Sequence, residues 1–288
     1  MRRIKYHGGE QIEVDALHFY GCSYVAGQEL LDSEIPDPMQ ISDKEMALQP
    51  GEKQADYYRR RLQRELQWIK KIKLEKQQAW PAHMCEVLKV MCFNHASHGS
   101  SMTQMKANIV QHIMEDKYDK ETEAIVVGLT AIDREMVWAS EENQVNGSGK
   151  IGMARSMVVA LNYERAGYQD FSRTYIQLKT DFHNLWNYMH ELWNIINICE
   201  MNGVRVYFVP MLYPFNLTWY SKSYDIDIIN PEYHEQLQFL ESKIDKYVLE
   251  GMKVDPLGAN IISQLPRGHP CAESHKRYGV KVGNKLAL

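Results

Sequence analysis

Four short segments of this chain carry the residue types that acyl transfer requires. Gly21-Cys22-Ser23 ends one apolar run, and Asn94-His95-Ala96-Ser97-His98-Gly99 follows a second. Gly128-Leu129-Thr130 closes a third, and Gly268-His269-Pro270 lies near the end of the sequence. A serine hydroxyl is a weak nucleophile until a neighbouring base, normally histidine, takes its proton. Ser23 and His269 are therefore the candidate pair, with His275 as an alternative base. A tetrahedral intermediate also needs donors already aimed at its oxyanion. The Ser23 N–H, the Gly99 N–H, which no side chain obstructs, and the Thr130 hydroxyl are the candidates. Arg134 would suit an anionic group on a substrate, although the ordinary reading of such an arginine is a solvated or ion-paired one.

The segments need elements to hold them. ALHFYG at 16–21, 90–94, AIVVGL at 124–129 and VRVYFV at 204–209 read as strands. The unbroken apolar run at 124–129 fits a strand buried on both faces, as in a parallel sheet. Helices are expected over 52–79, from Pro81 onward, over 101–114, along the Leu178–Cys199 stripe, over 231–250 and over 272–287. Strands alternating with helices imply a parallel sheet covered on both faces, whose reactive groups gather beyond the carboxyl ends of the strands. Each of the four segments falls in or near such a position. In the 52–79 helix, Tyr58, Leu62, Leu66, Ile69 and Ile72 recur at spacings of three and four. Its other face carries Arg59, Arg60, Arg61, Arg64, Lys70, Lys71, Lys73 and Lys76 and reads as solvated.

Composition excludes several classes. With 288 residues, 44% hydrophobic and 24% charged, the chain can build a sizeable core. A net charge of −4 gives no global pull toward nucleic acid or a membrane. The basic helix at 57–76 is the one feature that would suit nucleic acid. Five scattered cysteines do not read as a disulfide framework, and a reducing compartment is expected. The first fifteen residues lack the apolar centre of a signal peptide, and no apolar run approaches the ~20 residues that span a bilayer. A cytoplasmic protein without a membrane partner is the expectation, in the host cytoplasm if the chain is viral. His83, Cys85, Cys92, His95 and His98 fit no strong zinc spacing. Gly147-Ser148-Gly149-Lys150 lacks the frame of a phosphate loop. No metal or cofactor is expected.

Taken together, the four segments resemble the conserved blocks of the SGNH, or GDSL-like, hydrolases, and the pattern with Trp80-Pro81 is similar to SGNH-like proteins of large marine bacteriophages. The resemblance implies an α/β fold, a flavodoxin-like three-layer sandwich with a parallel sheet, in one domain over 1–288 with a loop and basic helix inserted at about 31–79. It implies a serine esterase or acyl hydrolase acting on a small ester or an acylated carbohydrate. Ser23 and His269 would be catalytic, and Ser23, Gly99 and Thr130 would form the oxyanion hole. Two positions depart from the family pattern. Thr130 stands where the family has an asparagine donor, and Pro266 stands where it has the aspartate that orients the histidine. Asp255 or Glu273 would then be the third member, or Ser23 and His269 would act as a dyad. The alternative is an inactive fold kept for binding, or a virion-associated protein.

Overall fold

Every residue of the run Ala16–Tyr20 is buried, because strands of its own sheet flank it on both edges and helices cover both faces. The computed structural model describes residues 1–28, 30–32, 49–97, 100–132, 135–138, 156–159, 180–223, 226, 231–266 and 268–288. In chain order these hold β1 (Arg2–Lys5), β2 (Gln11–Val14), β3 (Ala16–Tyr20), α1 (Ser23–Ala26), α2 (Gln54–Gln78), α3 (Trp80–Leu88), β4 (Met91–Asn94), α4 (Met102–Met114) and β5 (Glu123–Leu129). There follow β6 (Glu135–Trp138), β7 (Ser156–Val159), α5 (Asp181–Met201), β8 (Arg205–Pro210), α6 (Leu217–Ser223), α7 (Pro231–Ile244) and α8 (Ala272–Leu286). Among the described residues no helix is long and apolar enough to cross a membrane.

The four expected strands form one parallel sheet in the order β4-β3-β5-β8. The first of them, β3, lies inside, with the second on one side and the third and fourth on the other, so the chain reverses direction across the sheet beside β3. Ligands of doubly wound sheets bind outside the carboxyl ends of the strands at such a reversal. On one face, Met105 and Ile109 of α4 and Leu185, Leu192 and Ile196 of α5 pack against Ile125 and Val127. On the other, Trp80 and Met84 of α3 and Tyr278 and Val282 of α8 pack against Phe19 and Val126. The result is the expected three layers. Two further pairings, the antiparallel β1–β2 and β6–β7, lie outside the sequence expectation. Gly8-Gly9 between the alternating runs RRIK and QIEV was the signal for the first, and both glycines have positive φ. Leu178 and Gly147–Lys150 lie outside the described residues.

The α3–α8 contact is set by two glycines. A Cβ on Gly279 would stand 2.4 Å from the Trp80 carbonyl oxygen, and one on Gly283 would stand 2.9 Å from Val87 Cβ. The helices can approach this closely only while both positions lack side chains. His275, one turn earlier, is fully buried and accepts the Trp80 N–H at Nδ1 (3.2 Å).

The apolar stripe of the inserted helix faces outward, contrary to expectation, while Arg59, Arg61, Lys70 and Lys73 are exposed as expected. Tyr58, Leu62, Leu66 and Ile69 are each more than half exposed, whereas Lys71 and Glu75 are buried. The reason lies in what the inner face meets. The turn after α1 presents the Leu31 N–H, which donates to Glu75 Oε1 at 3.3 Å, and the Asp32 carboxylate, which pairs with Lys71. These are polar partners for a polar face, and a buried charge is tolerated only when paired. Nearer the amino end, Arg60 holds Glu52 through two hydrogen bonds, at 2.9 and 2.7 Å.

A buried polar network fastens β4 and α4 to the sheet. His18 bridges Glu123 Oε2 (2.9 Å, Nε2) and His95 Nε2 (3.0 Å, Nδ1). His95 lies edge-on to His112, which shares a 2.5 Å hydrogen bond with the Tyr20 hydroxyl, and Tyr20 is bonded in turn to Tyr118. Burial pushes His95 down to about 3, helped by the neighbouring His112 and His18, and lowers His18 and His112 as well. Burial also takes His275 down to about 3.

Two predictions follow from this packing. Gly279→Ala overpacks the α3–α8 contact and should cost ~1–3 kcal/mol. Its urea midpoint should drop with the slope unchanged, while an alanine at exposed Asn284 should leave the midpoint in place. The histidines set the second. His95 and His275 stay neutral in the folded chain well below the pH near 6.5 at which an unfolded histidine takes up a proton. The unfolded state therefore binds more protons below that pH, and stability must fall as pH falls. His95 and His275 should each contribute up to about 1.4 kcal/mol per pH unit from pH 6.5 toward 3. Denaturant midpoints at pH 7.5 and pH 5.5 test this; equal midpoints would contradict it.

Candidate active site

The first segment turns sharply after β3. Cys22 precedes α1 in extended conformation, its carbonyl accepts the Val25 and Ala26 N–H groups, and Ser23 begins the helix. This turn brings Val25 over the strand ends. A Cβ on Gly21 would lie 2.1 Å from Val25 Cγ2, and one on Gly128 would lie 2.3 Å from the same atom. The glycines of the first and third segments thus leave room for one side chain, and that places Ser23 at the carboxyl edge of the sheet. Ser23 and Cys22 are both buried.

Asn94 ties the second segment to the first. Its Nδ2 donates to the Val25 carbonyl at 2.9 Å, and its Oδ1 accepts the Ala96 N–H at 3.1 Å. The loop then runs beside Gly21, with the Ser97 N–H on the Gly21 carbonyl (3.1 Å) and the His95 N–H on the Phe19 carbonyl (2.8 Å). Gly99 and Arg134 lie outside the described residues. Beyond Gly99, Ser101 caps α4 by accepting the Gln104 N–H at 3.2 Å. Thr130 follows β5 directly; it is 3% exposed, and its hydroxyl has no hydrogen-bond partner among the described residues. A buried hydroxyl without a partner is uncommon.

The last segment is a tight loop before α8. Leu265 donates to the His269 carbonyl and Gly268 to the Leu265 carbonyl, both at 2.8 Å, while Gly268 takes φ +89°. That φ belongs to the left-handed region, where glycine carries no penalty. Tyr24 reaches this loop. Its hydroxyl donates to the Gly268 carbonyl at 3.4 Å, and its ring lies against that of half-buried His269, with centroids 5.6 Å apart. Tyr24, the residue after Ser23, is therefore one contact that joins the first and last segments.

The other sequence candidates have different partners. Asp255 accepts from Asn260 Nδ2 at 2.6 Å and pairs with Lys281, while Glu273 pairs with Arg277 at 2.7 Å. Both carboxylates are drawn to cations on α8 rather than to His269, and these contacts hold Glu273 below the usual carboxylate range. His275 is shut inside the α3–α8 contact, which removes it as an alternative base. Sequence reasoning missed Cys271. Burial pushes its thiol up, but hydrogen bonds with Ser263 and Ser274 outweigh that and bring it down to about 7. It also missed a cleft of about 220 Å³ between α4 and α5, beside Ile132. Thr103, Asn187, Glu191 and Asn194 turn polar groups toward it, and Met102 and Ile132 supply apolar wall. Glu191 is fixed there by Lys106 at 2.6 Å. The i, i+3 and i+4 spacing along α5 was the readable signal, hidden by the apolar stripe on the same helix.

No protein-family model and no curated protein matches the chain. Among solved structures, it is similar to a lipolytic protein of the G-D-S-L family from Desulfitobacterium hafniense, at 10% identity and a TM-score of 0.42, over 94% of this chain and 99% of that one. It is likewise similar to a member of the lipolytic G-D-S-L family from Veillonella parvula, at 11% identity and a TM-score of 0.41, over 94% of this chain and 96% of that one. An acetyl xylan esterase from the rumen bacterium Butyrivibrio proteoclasticus is matched at 11% identity and a TM-score of 0.42, over 96% of this chain and 65% of that one.

Proposed function

We propose that the chain is an SGNH-type serine ester hydrolase that removes an acyl or acetyl group from a carbohydrate or lipid-like alcohol. The observation that carries this reading is the Thr130 hydroxyl, buried and without a partner among the described residues, at the carboxyl end of β5. A developing oxyanion would supply the missing acceptor. Ser23 Oγ attacks the ester carbonyl while His269 takes its proton. The Ser23 N–H, Gly99 N–H and Thr130 hydroxyl receive the oxyanion. As the carbon–oxygen bond to the alcohol breaks, His269 returns the proton to the leaving oxygen. Water, deprotonated by His269, then attacks the acyl-serine; the bond from Ser23 Oγ to the acyl carbon breaks, His269 returns the proton to Oγ, and the acid is released. The reaction asks for no metal or organic cofactor. The polar cleft beside Ile132 supports a hydroxyl-rich leaving alcohol, and Arg134 would meet an anionic substituent on it.

His269 becomes a cation during this cycle, and the carboxylates of Asp255 and Glu273 are engaged elsewhere. Tyr24 supports the ring in their place. It holds the Gly268 carbonyl, and its ring lies against that of His269 at a tilt of 54°. The engaged carboxylates are also the observation that favours the rival reading, a fold retained for binding alone.

Labelling with a fluorophosphonate probe separates the two readings without knowledge of the substrate. Wild-type protein should label at Ser23, and Ser23→Ala and His269→Ala should not. Folded wild-type protein that never labels would replace the enzyme by a binding protein. Loss of one oxyanion donor costs ~10²–10³ in rate, so Thr130→Ala should label or turn over a small acetyl ester slower by that factor. Equal rates would remove Thr130 from the site.

A further inference from the structure

We propose that the outward face of α2 docks on an anionic lipid surface. Tyr58, Leu62, Leu66 and Ile69 stand on one stripe of this 25-residue helix, at 53–56% exposure each. At 1.5 Å per residue the stripe runs ~16 Å. Arg59 and Lys70 flank it on one side and Arg61 on the other, and Lys73 follows Ile69 by one turn; all four are exposed. Glu65 is the acidic residue on this face, and Asp56 pairs with Arg59 at 2.9 Å. The opposite face holds its charges in internal ion pairs, Lys71 with Asp32 and Arg60 with Glu52. The helix therefore presents apolar groups and a surplus of positive charge together. The net charge of −4 hides this, because it averages over the whole chain.

The shape and charge of the face select the occupant. Four side chains projecting from one helix make a ridge. A fluid hydrocarbon boundary accepts a ridge without a preformed groove, and interfacial helices lie in its plane with Lys and Arg beside the apolar line. The long basic stems can bury their methylenes while the charged ends reach headgroup phosphates. A second copy fits poorly. Antiparallel pairing centred between Leu62 and Leu66 would set Arg59 against Lys70 of the other copy. Nucleic acid would engage the cations but leave three aliphatic side chains in water, with Tyr58 the one ring able to stack.

The experiment is flotation of the full-length protein with phosphatidylcholine vesicles, with and without phosphatidylglycerol. Binding should require the anionic lipid and weaken with added salt. Each cation near an anionic surface is worth about a five-fold change in partition, so Lys70→Gln with Lys73→Gln should lower it ~25-fold. Leu62→Gln with Leu66→Gln should abolish it, and the emission of a Tyr58→Trp variant should shift to the blue on the vesicles. All these positions are exposed, so circular dichroism and the urea midpoint should match wild type. Failure to float with anionic vesicles overturns the proposal. So does flotation that the leucine pair does not change. A vesicle-independent dimer dissolved by the leucine pair would assign the face to a second copy. Binding of a DNA oligonucleotide in place of vesicles, with the leucine pair without effect, would assign it to nucleic acid.

Discussion

The space filled by Val25 is the constraint on which the rest of the candidate site depends. One isopropyl group occupies the volume that side chains at Gly21 and Gly128 would need, and those glycines end adjacent strands of the sheet. With Val25 seated, α1 must start where it does, Ser23 must sit at the strand edge, and the Val25 carbonyl becomes the acceptor for Asn94. Three loops from three strands are thereby fixed to one another by packing and one amide. Protein interiors are close-packed, so a methyl added at either glycine has no void to enter. The same residues that read as chemical blocks in sequence are first of all packing residues.

This explains how much of the site was legible. Strand ends in a parallel sheet are announced by apolar runs that stop at small or polar residues, so Ser23, Asn94, Thr130 and the four strands could be located without coordinates. The orientation of α2 could not. A spacing of three and four defines an apolar arc but not the direction in which it points, and the residues that decided it, Leu31 and Asp32, belong to another segment. The role of Tyr24 was hidden for a similar reason. An aromatic residue after Ser23 looks like core until the loop at 264–270 is placed against it. The histidine network was hidden by pleating: His18 and Glu123 meet only because β3 and β5 are neighbours in one register.

The two ends of the site are held by different physics. At β3, β4 and β5 the backbone ladder and close packing leave little freedom. At His269 the hold includes a short hydrogen-bonded loop, the ring of Tyr24 and the glycine-mediated seat of α8 on α3. The first kind of constraint survives a single lost contact, because neighbouring ladder bonds remain. The second rests on contacts from two directions, Tyr24 from α1 and the close seat of Gly279 and Gly283 on α3.

The Tyr24–Gly268 hydrogen bond joins residues 244 positions apart, nearly the length of the chain. A contact of that span carries a large loop-closure entropy unless the intervening sheet and helices have already formed. Topologies rich in distant pairings fold slowly for this reason. The segment holding Ser23 and the loop holding His269 are thus cheapest to join once the elements between them have formed. The join between these two segments is therefore expected late in folding. A joined Ser23 segment and His269 loop would report that the sheet and its flanking helices are in place, whereas either segment alone would not.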